Sequence, residues 1–195
     1  ETGRDQPEYP SFFTKQSTCV IGYGDSIQRP RVSDKLDYEG ELAFVIGRRC
    51  RHVPVDKAHQ VIAGFTIAND VSVRDWQMRS PTMMIGKSFD TCGPLGPWIV
   101  TPDELGDPHN LAIKTWIDDE LRQNGNTRQM IFNCYEMIAY LSQAMTLEPG
   151  DVITYCPIRL SKSRRIWMTI NDMRSVRSES SYRSALLAHL IHILE

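Results

Sequence analysis

Two glutamates set two residues apart, in a stretch that otherwise reads as a half-apolar strand, constrain this chain most. The segment is Leu36-Asp37-Tyr38-Glu39-Gly40-Glu41-Leu42-Ala43-Phe44-Val45-Ile46-Gly47. Side chains on a strand alternate between faces, so Glu39 and Glu41 point the same way. Two neighbouring carboxylates repel each other. They need solvent, a shared proton or a cation. Read alone, the pair also fits a solvent-facing strand edge. Further on, Phe65-Thr66-Ile67-Ala68-Asn69-Asp70 places a third carboxylate, Asp70, at a strand end. Three carboxylates converging from two strands form a hard-oxygen site. Such a site suits Mg2+, Mn2+ or Ca2+ rather than zinc.

At 195 residues the chain is expected to form one domain with a real core. Its net charge of -2 gives no general attraction to nucleic acid or to an anionic membrane. No apolar run approaches the roughly 18 residues that span a bilayer. The opening Glu1-Thr2-Gly3-Arg4-Asp5 lacks a signal-peptide core. Five scattered cysteines, without a Cys-x-x-Cys, favour reduced thiols in a cytoplasmic protein. Residues 159–187 hold seven Lys/Arg against two acids. That basic stretch reads as a solvated or poorly ordered tail, or as a surface for an acidic partner.

The pattern predicts short strands around Phe12–Phe13 and Thr18–Ile21 and the strand at 37–46. A helix is expected over Val55–Ala63 and a strand from Gly64 through Ile67. Ser72 with Asp75 suggests a capping box opening a short helix through Met78, with Arg74 and Gln77 on one face. Pro81 ends it. Met83–Phe89 reads as strand or extended loop carrying Lys87. Gly93–Pro97 reads as a turn region before a strand at Trp98–Thr101. Leu111–Ile117 and Glu120–Gln123 suggest a hairpin across Asp118-Asp119. Met137, Ile138, Leu141 and Met145 recur at helical spacing, predicting an amphipathic helix over Cys134–Ala144. A turn at Glu148–Asp151 leads into a strand at Val152–Tyr155. The mixture is β-rich without alternating βαβ units, so the expected class is α+β.

These stretches resemble, in this order, the C-terminal catalytic domain of the fumarylacetoacetate hydrolase family. The matching motifs are Leu36–Ala43, Ala63-Gly64-Phe65-Thr66, Asn69-Asp70-Val71-Ser72-Val73-Arg74-Asp75-Trp76-Gln77, Gly86-Lys87-Ser88-Phe89-Asp90, Gly93–Trp98 and Leu147–Ile153. The resemblance runs over residues 1–154. It implies a mixed β-roll with a few short helices, usually a homodimer in this family. It implies a divalent metal, Mg2+ or Mn2+, held by Glu39, Glu41 and Asp70. It implies that Lys87 holds or polarises a substrate oxygen, and that Arg74 and Gln77 orient the substrate. The substrates it implies are small 2-oxo or diketo acids. The chemistry it implies is C–C hydrolysis, decarboxylation, isomerisation or hydration through a metal-bound enolate. Elementary chemistry agrees: an arginine fork suits a substrate carboxylate, and a lysine stabilises charge where charge develops.

Two departures stand out. Many relatives carry a His-x-x-Glu lid motif just before a Thr-Gly pair. Glu1-Thr2-Gly3 matches its end, and the His would lie upstream of Glu1. After Ile153 the family continues into a glycine-rich loop, whereas here Thr154-Tyr155-Cys156-Pro157 follows and no glycine occurs after Gly150. Residues 155–195 are therefore expected to be a divergent basic tail outside the family fold. A shifted reading frame near residue 155 is one explanation, and a glycine loop in another frame of the coding DNA would test it. The alternative to an enzyme is an inactive, truncated relative that keeps the metal scaffold.

Overall fold

The computed structural model describes residues 7–156 and the backbone of Met168–Thr169 and Leu190–Leu194. Two of these regions fall in the expected tail. The basic stretch at 159–187 and the opening Glu1-Thr2-Gly3 otherwise lie outside the described residues.

The chain begins with β1 (Ser11–Lys15) and β2 (Val20–Ile21). The expected carboxylate strand is two: β3 (Leu36–Asp37) and β4 (Gly40–Ile46). A 3-10 helix at Val55–Val61 precedes β5 (Ile62–Asn69), then β6 (Ser72–Val73), α1 (Arg74–Gln77) and α2 (Met84–Lys87). Next come β7 (Gly93–Val100), α3 (Pro102–Leu105), the hairpin β8 (Ala112–Ile117) and β9 (Glu120–Asn126), α4 (Cys134–Ala144) and β10 (Val152–Tyr155). The last two strands are β11 (Met168–Thr169) and β12 (Leu190–Leu194). A seven-stranded sheet runs β1-β12-β10-β4-β5-β7-β2. A three-stranded sheet runs β11-β8-β9, and β3 pairs with β6. The architecture is α+β, with one dominant mixed sheet and few helices.

β4 is central and buried along its whole length. Leu42, Phe44 and Ile46 alternate onto one face, into the main core with Phe65, Leu147, Ile153 and the apolar side of α4. That stripe comes from Met137, Ile138 and Leu141, as expected from their spacing. The helix is opened by a capping box: the Asn133 side chain accepts from the Tyr135 and Glu136 amides, and Glu136 accepts from the Asn133 amide. On the other face small residues, Ala43, Val45, Ala68 and Val152, pack together. Glu41 belongs by alternation to this second face.

Several local expectations are corrected. The helix expected over Val55–Ala63 is a 3-10 helix that stops at Val61, because Ile62 pairs with Ile46 and the Gly47 amide donates to Val61 O (2.7 Å). Ser72 does not cap α1. It lies in β6, its hydroxyl donates to Asp70 O (3.0 Å), and Val73 occupies the N-cap. Met83–Phe89 is not extended: Met84–Lys87 forms one helical turn. Gly93–Pro97 is part of β7 rather than a turn, since β7 pairs with both β5 and β2. No helix among the described residues is long and apolar enough to cross a membrane.

Candidate metal centre

The break between β3 and β4 builds the site. Asp37 stands opposite Ser72 on one side of the break, and Gly40 opposite Asn69 on the other. The register is the same on both sides, so Glu39 and Asp70 face each other across the gap. The Asp70 amide donates to Glu39 O (2.9 Å), and the Glu39 amide turns to the Asn69 side-chain Oδ1 (3.0 Å). Directly opposed side chains in an antiparallel pair share a face, and like charges there repel. Glu41, two residues on from Glu39, joins them. Carboxylate oxygens of Glu39, Glu41 and Asp70 all lie within 4.8 Å of one another. Glu41 and Asp70 are buried, each 1% exposed.

Two lysines answer this charge. Lys87, at the end of α2, donates from Nζ to Asp70 Oδ2 (2.6 Å) and Glu39 Oε2 (2.8 Å). Its ammonium also lies 5.2 Å from the Phe13 ring centroid. Burial works against that charge, but the Asp70 and Glu39 carboxylates outweigh it and hold Lys87 above the usual lysine range. Lys15, on β1, donates to Asp70 Oδ1 (2.7 Å), to Val71 O (3.4 Å) and to Lys87 O. Burial lifts the Glu39 carboxyl above its usual range. Lys87 and Arg74 oppose that rise, while Asp70 and Glu41 add to it.

Arg74 and Gln77 share a face of α1, as their spacing requires. Arg74 spans three acceptors: Asp37 Oδ2 (2.9 Å) from Nε, and Glu39 Oε1 (2.5 Å) and Gln77 Oε1 (2.9 Å) from Nη1. Burial lowers its affinity for the proton, and the Glu39 and Asp37 carboxylates more than restore it. In this arrangement Arg74 holds the Glu39 carboxylate in place. Its Nη2 makes no hydrogen bond among the described residues.

All six residues singled out in the sequence, Glu39, Glu41, Asp70, Arg74, Gln77 and Lys87, thus converge on one site. Lys15, Asp37 and Asn69 were not anticipated. Lys15 carried a signal: Phe13 and Lys15 share the inward face of β1, and Thr14 between them is exposed. A lysine at an inward strand position calls for a buried acid.

The donor set fits a hard divalent cation. Oxygens bound to a common Mg2+, Mn2+ or Ca2+ at about 2.1–2.5 Å lie within about 5 Å of one another, which the 4.8 Å grouping satisfies. Carboxylates alone, without thiolate or imidazole, disfavour zinc.

Comparison with known proteins places these features. The model of the family described as Fumarylacetoacetate (FAA) hydrolase C-terminal matches residues 1–156. The mitochondrial oxaloacetate tautomerase Fahd2a of Rattus norvegicus is 45% identical over 148 residues, 75% of this chain and 47% of that protein. The solved structure of 5-carboxymethyl-2-hydroxymuconate delta-isomerase from Mycobacterium smegmatis superposes with a TM-score of 0.73 at 42% identity, over 79% of this chain and 60% of that one. That of 2-hydroxyhepta-2,4-diene-1,7-dioate isomerase from Mycobacterium marinum gives 0.72 at 38% identity, over 76% and 57%. The chain spans about half the length of the curated relatives it matches.

Proposed function

The chain belongs to the fumarylacetoacetate hydrolase family, and from that premise we propose that it is a divalent-metal-dependent enzyme acting on a small 2-oxo or diketo acid. The observation that carries this reading is the grouping of Glu39, Glu41 and Asp70 carboxylates at one buried point. These three residues would hold Mg2+ or Mn2+. When bound, the cation supplies Lewis acidity to the substrate's oxygens. Lys87 sits against two of the three carboxylates, where it would add a second positive charge beside the substrate's oxygens. Arg74 fixes Glu39 and has Nη2 left for a substrate carboxylate, with Gln77 orienting it.

Among hydrolysis, decarboxylation, hydration and isomerisation, relocation of a proton beside the oxo group is favoured. A tautomerase and two isomerases among the similar proteins support it. The same reading includes a homodimer, for which exposed Trp98 and Ile99 on β7 offer apolar surface. It also includes a reducing compartment such as the cytoplasm, which the five free cysteines suit.

The test is turnover of oxaloacetate tautomers and of acylpyruvates by the metal-stripped chain, before and after millimolar Mg2+ or Mn2+. Turnover that needs the metal and disappears in Glu41→Gln supports the reading. Metal binding without turnover turns it to a non-catalytic relative that keeps the scaffold. No response to either metal overturns it.

A further inference from the structure

We infer that Gln123, a residue of the β8–β9 hairpin far from the carboxylates in sequence, is a positioning residue for the Glu39–Glu41 pair. The inference rests on the metal reading above and extends it to a group that touches neither metal nor substrate.

Gly40 stands between the two glutamates. A Cβ there would meet the Thr115 hydroxyl and, at 2.8 Å, Gln123 Oε1, so any other residue would have to displace these two side chains. Yet glycine is the residue with the greatest backbone freedom. A rotation at Gly40 would swing the Glu39 and Glu41 side chains relative to each other. Pairing with β5 holds one edge of this segment, through the Asp70 amide on Glu39 O and Glu41 opposite Ala68, and the Gly40 amide and carbonyl face the other edge, where they need a partner of their own.

Gln123 is that partner. Its Oε1 accepts from the Gly40 amide (3.0 Å), and its Nε2 donates to Gly40 O (2.6 Å). A primary amide presents one acceptor and donors side by side, so it imitates the edge of a neighbouring strand. The described pairing of β4 with β10 ends at Leu42 opposite Tyr155. At Gly40 the side-chain amide takes over that role. The amide is itself held. Thr115 lies directly opposite Gln123 in the hairpin and donates from its hydroxyl to Gln123 Oε1 (2.8 Å). The Gly40 amide, which can only donate, and the Gly40 carbonyl, which can only accept, fix which end of the side-chain amide is oxygen. Both residues are buried, at 2% and 1% exposure. Outer partners that orient metal ligands typically change affinity 10–100-fold when removed.

The experiment is Mn2+ titration by calorimetry on the full chain, with urea unfolding of the metal-free protein beside it. Gln123→Leu removes the two hydrogen bonds with Gly40, and the one from Thr115, at similar volume. Gln123→Glu keeps an acceptor for the Gly40 amide and loses the donor to Gly40 O. It serves as the readout if Gln123→Leu does not fold. Asn133→Ala removes the cap of α4 and controls for loss of stability away from the site. The expected result is a Kd for Mn2+ raised about tenfold or more in Gln123→Leu, less in Gln123→Glu, and unchanged in Asn133→Ala. Gln123 variants that lose stability but bind Mn2+ within twofold of wild type overturn the inference and leave a purely structural glutamine. An equal loss in Asn133→Ala overturns it too, because affinity then follows general stability. A wild-type chain that binds no Mn2+ overturns the metal reading itself, and this inference with it.

Discussion

Lys15 Nζ and Asp70 Oδ1 form an ion pair at 2.7 Å in which neither side chain is more than 1% exposed. The pair ties β1 to the residue that follows β5. It also fixes one oxygen of Asp70, while the other faces Lys87. Removing one partner of a buried pair leaves an uncompensated charge, which costs about 3–5 kcal/mol. Lys15→Met is expected at the low end, about 3 kcal/mol, because Lys87 still neutralises Asp70. Urea unfolding of the metal-free variant measures it. A loss under about 1 kcal/mol, the value of a solvated pair, would show that water reaches Asp70.

Gly86 lies where α2 crosses α1. A Cβ there would run into the Gln77 backbone. Only glycine lets the two turns approach closely enough to bring Lys87 over the carboxylates. Gly86→Ala should cost about 1–3 kcal/mol from overpacking, or roughly 2–4 °C in Tm for each kcal/mol in a domain of this size. Ile85→Ala, at a half-exposed position of the same turn, should cost less. Equal effects from the two would mean that the turns separate without strain.

Much of this was legible in the sequence, for physical reasons. α4 announced itself because Met137, Ile138 and Leu141 repeat at the helical period and pack on one core. The β8–β9 hairpin followed from alternating segments around Asp118-Asp119. The carboxylate triad was readable because Glu39 and Glu41 are two apart, although the strand between them and Asp37 is broken. What stayed hidden depended on distant pairing. α2 is a single turn, too short to show a period. Ser72 had the chemistry of a cap, but strand pairing with Asp37 claimed it first. Gln123 and Lys15 could not be tied to the site, because nothing local says that a hairpin and an N-terminal strand meet Gly40 and Asp70.

Arg74 bridges Asp37, Glu39 and Gln77 with one planar fork. A lysine carries the charge but cannot span three acceptors from fixed donors. Arg74→Lys is therefore expected to loosen Glu39 and weaken Mn2+ binding about tenfold, the lower end for partners that orient ligands. Calorimetric titration checks this. Unchanged binding would leave Arg74 to the substrate alone, and its loss would then appear only in KM.

The buried thiols give the stability of this protein an alkaline limit. Burial pushes Cys92 up to about 12 from an ordinary value of 9.0, and raises Cys19 and Cys134 as well. Cys92 is fully enclosed. Once unfolded, its thiol loses a proton near pH 9, while the folded thiol keeps it. Between those values the unfolded state binds fewer protons, so stability falls as pH rises. Below pH 9 the contribution is fully present. At pH 10 the loss from Cys92 is about 1 kcal/mol. Lys87, also held above its usual range, adds to the decline in the same direction at higher pH. Cys92→Ala separates the two sources. The variant should be less stable than wild type at pH 7, because a sulfur is missing from the core, yet lose less between pH 8 and pH 10. Urea midpoints at the two pH values give the comparison. Parallel declines in the variant and wild type would show that Cys92 keeps an ordinary pKa and that water enters beside it.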